Sequence, residues 1–255
     1  LKMSTIELTA LKNIPFIEPG DNLVEIICNN LEENNQDIHE NDVFVIAQKI
    51  ISKSEDRYID INKIEISREA QDLAKKLKRH PGLIQCVLNE SKKIISIEKG
   101  VLIVEHNLGY INVNAGVDFS NIPDDKNLAL LLPTNPSKSA DEIQKRLSKK
   151  LNKNISIIIS DSMTRPYRLG VTNFALASSN IQSLIDLSGT TDMYGKSLKH
   201  TEIAVADEIA AAAGILMGQS DEMKPIILVK GFDMNQYEVN DAFNLTVNNE
   251  DDLYR

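Results

Sequence analysis

The chain has 255 residues, which is enough for one large domain or two small ones. Hydrophobic residues make up 42% of it and charged residues 25%, a balance that is ordinary for a soluble globular protein. The formal net charge of -9 argues against general binding of nucleic acids, because such binding relies on an excess of Lys and Arg.

The cysteines and the apolar segments indicate the cellular compartment. Cys28 and Cys86 each lie in an apolar segment typical of a helix, and no C-x-x-C pair occurs. They therefore read as buried thiols of a reducing compartment. No apolar stretch reaches the length of a membrane span, and the N-terminal residues lack the apolar core of a signal peptide. We expect a cytoplasmic protein with no membrane partner.

The first half of the chain predicts alternating strands and helices. Residues 5–20 indicate a strand and then a loop rich in Pro and Gly, and Asp21 is predicted to cap the helix that follows. The apolar run 43–47 predicts a central strand. Ser67 is predicted to cap a second helix, and Pro81 to open a third that reaches Lys93. Three short strands are predicted next, at residues 94–97, 101–105 and 110–113.

The second half predicts the same mixture of elements. A capping box at residues 139–142 predicts a helix to Leu151, and an alanine-rich helix is predicted within residues 201–217. Strands are predicted at residues 128–132, 155–159, 174–177, 181–187 and 225–229. Residues 1–232 are expected to form one catalytic unit that could divide into two lobes, and residues 233–255 a loose, polar and acidic tail.

Several strands are separated only by a turn, which favours a mixed α/β fold of the α+β type, with mixed β-sheets and covering helices. The chain has no G-x-G-x-x-G fingerprint. The segment Gly189 to Ser197 resembles a P-loop but has one residue too many between its glycines, so its amides could not close around a phosphate. We therefore expect neither a Rossmann fold nor a P-loop fold.

The stretch ISIIISDSMTRPYRLGVTN, residues 155–173, is the richest in chemistry. Its apolar run predicts a buried strand that stops at Ser160. Asp161 and Ser162 offer hard oxygen ligands for a divalent cation, and Arg165 and Arg168 offer forked donors suited to phosphates or another anionic substrate. The alternative is a turn in which Asp161 and Ser162 cap backbone N–H groups while the arginines are solvated.

Other loops supply groups of the same kind. Asp118 and Asn121 follow a predicted strand, and Gln219 follows a predicted helix. Lys49 and Lys53, four residues apart after a strand, could face one phosphate, although surface lysines are the commoner case. From the residues alone, the inference stops at metal-dependent phosphate chemistry.

Six motifs taken together resemble the coenzyme F-420 γ-glutamyl ligase family, also called coenzyme F-420-0:L-glutamate ligase. They occur in the family's order and span residues 14–232. These motifs are IPFIEPGDNL, VFVIAQKIISKSEDR, VLIVEHNLGYINVNAGVDFSNIP, IIISDSMTRPYRLGVTNFA, DMYGKSLKHTEIAVADEIAAAAGILMGQ and PIILVKGF.

The resemblance implies a reaction and its partners. A GTP-dependent ligase of this family joins L-glutamate to the carboxylate of a deazaflavin coenzyme precursor through an amide, then adds a second glutamate in γ linkage, and releases GDP and phosphate. An acyl phosphate is the implied intermediate. Two Mg²⁺ or Mn²⁺ ions per site, a K⁺ ion, a homodimer and an unusual α/β fold are implied as well.

The resemblance also implies roles for individual residues. Asp118 and Asp161 resemble the ligands of one metal and the catalytic pair, and Ser162 and Gln219 resemble the ligands of the second metal. The implied nucleotide-binding residues are Ile14, Pro15, Phe16, Ile17, Gln48, Lys49, Lys53, Asn121, Leu216, Met217, Gly218, Gln219 and Ser220.

Two departures from the family pattern affect these assignments. The Gln48–Lys49 pair differs among relatives, so nucleotide contacts at that pair are expected to use the backbone, and Lys196 stands where Arg is common, so it is assigned no role. Ser162, an implied metal ligand, stands where relatives often have Thr. Two alternatives stay open: a related ligase acting on another carboxylate, and a nucleotide-binding module without ligase activity.

Overall fold

The computed structural model describes residues 5–122, 127–232, 238–248 and 250–253. Its helices are α1 Leu23–Glu33, α2 Gln48–Ser54, α3 Arg68–Leu77, α4 Pro81–Asn89, α5 Pro136–Leu151 and α6 Val205–Met217. Its strands are β1 Glu7–Ala10, β2 Val43–Ala47, β3 Tyr58–Asp60, β4 Ser91–Glu98, β5 Val101–His106, β6 Ile111–Val113, β7 Leu128–Leu130, β8 Ser156–Arg165, β9 Arg168–Ser179, β10 Ile185–Asp186, β11 Glu202–Ile203 and β12 Ile226–Lys230.

A five-stranded mixed sheet forms the centre of the fold. Its strand order is β1-β12-β2-β8-β9, and β2 and β8 are its parallel pair, while the other neighbours are antiparallel. Smaller sheets pair β3 with β7, β10 with β11, and β4 with β5 and β6. The expected α+β architecture with mixed sheets is confirmed.

Helices cover both faces of the central sheet, which explains why its strands are apolar throughout. Phe44 and Ile157 belong to the core on the side of α1 and α5, whereas their neighbours Val45 and Ile158 belong to the core under α6. Alternate residues of a strand point to opposite faces, so both faces of β2 and β8 are dry.

A separate small core lies under α3 and α4. It unites apolar residues of both helices with Leu102 and Val104 of β5 and with Ala115. The sheet β4-β5-β6 thus carries its own helical cover, and β6 leads directly to the loop that holds Asp118. No helix among the described residues is long and apolar enough to cross a membrane.

Helix boundaries differ from the predictions where a neighbouring residue caps better. Asn22, not Asp21, caps α1 through Glu25 N–H, and Asp21 instead accepts a bond from Glu18 N–H at 2.8 Å. Asn135 caps α5, with Pro136 in its first turn, so the capping box predicted at residues 139–142 is wrong. Pro at the first turn and Asn at the cap form a start signal of their own, four residues before Ser139.

Two other helix predictions had different outcomes. Ser67 caps α3 through Ala70 N–H, as predicted. The helix α4 ends at Asn89, and Ser91 already belongs to β4, so the predicted extension to Lys93 is wrong. The next strand takes these residues into its antiparallel pairing with β5.

The strand predicted to stop at Ser160 continues instead to Arg165. It forms a long hairpin with β9, and the turn consists of Pro166 and Tyr167. The backbone of Tyr167 is left-handed, with φ 59°. The predicted strand 174–177 is the inner part of β9, and the predicted strand 181–187 shrinks to Ile185–Asp186.

The C-terminal tail was predicted to be loose, but its residues 240–245 pack on the central sheet. Asn240 accepts hydrogen bonds from the backbone of Ser183 and Leu184, and Asp241 accepts one from Ser178 N–H at 3.0 Å. Ala242 is buried against the sheet. These anchors show that part of the tail belongs to the folded body; the tail's residues 233–237, 249, 254 and 255 lie outside the described residues.

Candidate active site

The parallel strands β2 and β8 place the first residues of the site, because the carboxyl end of their paired region brings two segments that are distant in sequence to the same edge of the sheet. Ala47 is the register partner of Ser160, so the residues that follow them, Gln48 and Asp161, emerge side by side. A bulge in β9 shifts the register between Ile159 and Ser160. Bulges re-aim side chains, and this one lies immediately before Asp161.

Asp118 reaches the same place from the other core. The three residues Asn114, Ala115 and Gly116 all have positive φ, with values of 50°, 53° and 67°. This left-handed turn reverses the chain after β6, and Asp118 then pairs with Leu130 through two backbone hydrogen bonds of 3.0 and 2.8 Å. The backbone of Asp118 is therefore fixed on both sides.

Lys49 connects the two carboxylates. Its Nζ atom lies 2.6 Å from Oδ2 of Asp118 and donates a hydrogen bond of 2.6 Å to Oγ of Ser120. Burial alone would raise the pKa of Asp118, but the bond from Lys49 and the bonds from Ser120 lower it below its ordinary value. Lys49 also faces Asp161, whose pKa it lowers less strongly.

Asp161 has the opposite electrostatic character. The pKa of Asp161 is raised to about 6, mainly by burial and also by the charge of Asp118. The bond of 2.8 Å that Ser162 N–H donates to Oδ1 opposes this increase but does not cancel it. A carboxyl group that is hard to ionise without a cation, beside another carboxylate, is a common feature of functional sites. The pair therefore concentrates negative charge where cations can bind.

The loop after α6 closes the site. Gly218 ends the helix with φ 75° and ψ -174°, a backbone conformation that residues with a Cβ atom rarely adopt, so the turn favours glycine. Gln219 donates a hydrogen bond of 2.8 Å to the buried Asn173. Asn121 donates one of 3.0 Å to Ser220 O, which joins this loop to the loop of Asp118.

These segments enclose a cavity of about 700 Å³, within the usual range for a ligand site. Asp161 and Ser162 line it, as does Gln219. The predicted nucleotide-binding residues that line it as well are Ile14, Pro15, Phe16, Ile17, Gln48, Lys49, Lys53, Asn121, Met217, Gly218 and Ser220.

Four predicted residues do not line the cavity. Asp118 is one of them, although it pairs with Lys49, which does line the cavity, and Leu216 is another, a partly buried residue of α6 that packs against the core. Arg165 and Arg168 are register partners at the tip of the β8–β9 hairpin. The structure thus separates the two arginines from Asp161, because the strand that was predicted to end at the carboxylate continues past it.

Three residues of the site were not predicted from the sequence. Ser120 holds both Lys49 and Asp118, and Asn173 holds Gln219. Glu18 lines the cavity and acts on Lys53, where it partly offsets the lowering of the pKa by burial and by Lys49. Ser120 lies beside the assigned Asn121 and Glu18 beside the assigned Ile17, whereas Asn173 lies inside a quoted motif with no assigned neighbour, so no sequence signal singled it out.

The ligand chemistry fits magnesium or manganese. The part of the chain that the structure describes has no cluster of three or more His, Cys, Asp or Glu side chains that could hold a metal. Mg²⁺, however, commonly uses only one or two carboxylates and takes its other ligands from phosphates and water. Asp118, Asp161, the hydroxyl of Ser162 and the amide oxygen of Gln219 supply such a set of hard oxygens.

Comparison with known proteins identifies relatives of the whole chain. The family model described as F420-0:Gamma-glutamyl ligase matches residues 12–231. The coenzyme F420:L-glutamate ligase of Methanothermobacter thermautotrophicus is 36% identical over 227 residues, which cover 89% of this chain and 89% of that protein. The protein of the same name from Methanocaldococcus jannaschii is 39% identical, and the match covers 89% of this chain and 88% of that protein. The one from Archaeoglobus fulgidus is 32% identical, and the match covers 90% of this chain and 89% of that protein. The chain therefore belongs to the F420-0:gamma-glutamyl ligase family.

Proposed function

We propose that the chain is a coenzyme F420-0:L-glutamate ligase that uses GTP. The γ-phosphoryl group of GTP is transferred to the acceptor carboxylate, which gives an acyl phosphate and GDP. The amino nitrogen of L-glutamate then attacks the acyl carbon, so that an amide forms and phosphate leaves. A second glutamate is added in γ linkage by the same sequence of steps.

One observation carries the proposal: a cavity lined by Asp161, Lys49 and Lys53, with Asp118 paired to Lys49, in a chain whose relatives are named as glutamate ligases. Ligation of a carboxylate to an amine requires activation, and phosphoryl transfer requires that the phosphate charge be neutralised. Asp161, Lys49 and Lys53 provide the means for both within one cavity.

Lys53 is the side chain best placed to bind a phosphate. Its Nζ atom donates a hydrogen bond of 2.6 Å to Asn121 O, and burial followed by repulsion from Lys49 lowers its pKa below the ordinary value. Burial and Lys49 both disfavour the charged form of Lys53, and a bound anion would stabilise that form by supplying a countercharge. The β- and γ-phosphates of GTP would supply that charge.

The apolar side of the cavity suits the nucleoside. Phe16 is 76% exposed at the cavity although its neighbours Ile14 and Ile17 are buried. The buried neighbours anchor the loop, so an aromatic face is held in solvent at the cavity mouth. An aromatic face is the usual surface on which a purine base stacks.

Metals complete the proposed chemistry. Two Mg²⁺ or Mn²⁺ ions, held by Asp118, Asp161, Ser162 and Gln219, would neutralise phosphate charge and orient the γ-phosphate. The K⁺ ion implied by the family resemblance is retained as part of the proposal. The side chains themselves bind and orient GTP, and the surrounding apolar residues exclude water from the acyl phosphate.

We also propose a homodimer, which the family resemblance implies. Light scattering of the purified protein at micromolar concentration should give twice the chain mass of 28.4 kDa. A mass equal to that of one chain would contradict this part of the proposal.

GTP binding should depend on the divalent cation, because the described chain lacks a P-loop and the phosphates would contact only scattered loops and the metal. Calorimetric titration should show tight binding of GTP with Mg²⁺ or Mn²⁺ and little binding with a chelator. Turnover is measured in parallel with coenzyme F420-0 and L-glutamate. Equal GTP binding in both conditions, or no ligation with both substrates present, would contradict the proposal.

A further inference from the structure

The ammonium group of Lys49 lies where a cation is needed. It contacts Oδ2 of Asp118 at 2.6 Å and Oγ of Ser120 at 2.6 Å, and it acts on Asp161 as well. Both Lys49 and Asp118 retain 28% side-chain exposure, so solvent reaches their ion pair, and Lys49 itself lines the cavity. Lys49 therefore neutralises one of two adjacent carboxylates with a charge from the protein itself.

We propose that Lys49 is an internal counter-ion which a divalent cation displaces from Asp118, and which then turns to the phosphates. The cation site is that of the proposed ligase, and the inference rests on it. A metal ion bound to Asp118 would occupy the direction from which Lys49 now approaches Oδ2, and the like charges of ammonium and metal would repel each other.

The position of Lys49 on α2 determines where its ammonium group goes after displacement. Lys49 and Lys53 are four residues apart on this helix, so their side chains lie on the same face. Both line the cavity. While Asp118 holds Lys49, Lys53 forms no ion pair with a carboxylate among the described residues; once the metal takes Asp118, the ammonium groups of both lysines are available to the phosphates.

This exchange couples the metal to the nucleotide. The divalent cation frees a second ammonium group for the phosphates, and bound phosphates favour the state in which Lys49 has left Asp118. Each ligand then strengthens the binding of the other, and by linkage the two effects are equal. Lys49 is thus a positioning residue before the metal binds and a phosphate contact afterwards.

The experiment measures Mn²⁺ affinity without nucleotide, by calorimetry or electron paramagnetic resonance. Lys49→Met should bind Mn²⁺ about tenfold more tightly than the wild type, since no ammonium group competes for Asp118. Lys53→Met is the matched control: among the described residues, the Lys53 ammonium group bonds to Asn121 O and pairs with no carboxylate, so the Mn²⁺ affinity of this variant should change by less than about threefold.

A second measurement uses the wild-type chain alone, so it does not depend on the folding of a variant. The nitrogen NMR signal of the Lys49 ammonium group should be that of a hydrogen-bonded group, and it should lose this character when Mg²⁺ is added. Unchanged or weaker Mn²⁺ binding by a folded Lys49→Met protein, or a Lys49 signal that Mg²⁺ leaves unchanged, would overturn the inference.

The outcomes separate the inference from the proposed function. A tenfold gain in Mn²⁺ affinity with no GTP-dependent ligation by the wild type would overturn the proposed reaction and leave the role of Lys49 standing. Ligation by the wild type with no gain in Lys49→Met would overturn the role of Lys49 alone. No Mn²⁺ binding by either protein would overturn both.

Discussion

Replacing Asp161 with asparagine should lower the rate of glutamate ligation by roughly 10³-fold or more. Asparagine keeps the size of the side chain and can still accept a bond from Ser162 N–H, but it has no charge with which to hold a divalent cation. The bulge before Asp161 and the parallel pairing of β2 with β8 place this side chain, so no neighbouring residue can substitute for it.

The same substitution should make the metal-free protein more stable. The Asp161 carboxyl has a pKa of about 6 in the folded chain and an ordinary value of 3.8. The folded state therefore binds the proton more tightly, and its stability falls as the pH rises between about 4 and 6. Asparagine removes this loss. The free energy of unfolding of Asp161→Asn should therefore exceed that of the wild type only slightly near pH 4, and by about 1–3 kcal/mol above pH 6.

Urea unfolding with a chelator at pH 4.5 and pH 7.5 tests this dependence. The matched control is Asp72→Asn on the exposed face of α3, which should change neither activity nor stability by more than about 0.5 kcal/mol. Added Mn²⁺ should stabilise the wild type and not Asp161→Asn. Wild-type turnover by Asp161→Asn would show that Asp161 does not bind the metal. An equal stability change at both pH values would show that it does not carry a buried charge.

The central sheet could be predicted because its signal is local. Continuous apolar runs such as residues 43–47 and 155–159 occur where both faces of a strand are covered, and the structure covers both. The start of α3 at Ser67 was readable for the same reason, since a cap acts within three residues. The helix α5 shows the limit: Asn135 and Ser139 are both good caps, and the choice depended on Pro136.

The hairpin β8–β9 could not be predicted because its signal is not local. A strand was expected to stop at Ser160 since polar residues follow, yet the chain continues to Arg165 by pairing with β9. Backbone hydrogen bonds to a neighbouring strand can extend a strand through polar residues, and the sequence does not show which strand that neighbour is. This also explains why Arg165 and Arg168, adjacent to Asp161 in sequence, lie apart from the cavity.

The motifs, and not physics alone, led to the residues that line the cavity, and their roles in binding stay a prediction. Twelve of the thirteen residues assigned to the nucleotide line one cavity, a set that no periodicity or spacing would have joined. The side-chain contacts that organise the cavity stayed hidden. The pairing of Lys49 with Asp118 spans 69 positions of sequence, and Asn173 was an ordinary polar residue just before the predicted strand 174–177. Its hydrogen bond with Gln219 is visible only in the structure.

Gly214→Val should disable the site and lower the free energy of unfolding by about 3 kcal/mol. Gly214 lies in α6 where the helix meets the buried side chain of Asn173, and a Cβ atom there would lie 2.8 Å from Asn173 Cγ. Asn173 accepts the hydrogen bond from Gln219 and lies beside Ser160 and Met217. Displacing it releases the loop that carries Gln219 and weakens Mn²⁺ binding.

A milder substitution separates this clash from the intrinsic preference of the helix. Alanine is favoured over glycine in a helix by about 1 kcal/mol, so Gly214→Ala would be stabilising if nothing opposed it. In the wild-type background we expect destabilisation, and in an Asn173→Ala background we expect stabilisation, because the two closest atoms, Cγ and Oδ1, are then gone and only Cβ, at 3.1 Å, remains. Ile215→Val, on the exposed side of the same helix, is the control and should be nearly neutral. Stabilisation by Gly214→Ala in both backgrounds, with Mn²⁺ affinity unchanged, would show that Asn173 does not need the space that glycine leaves.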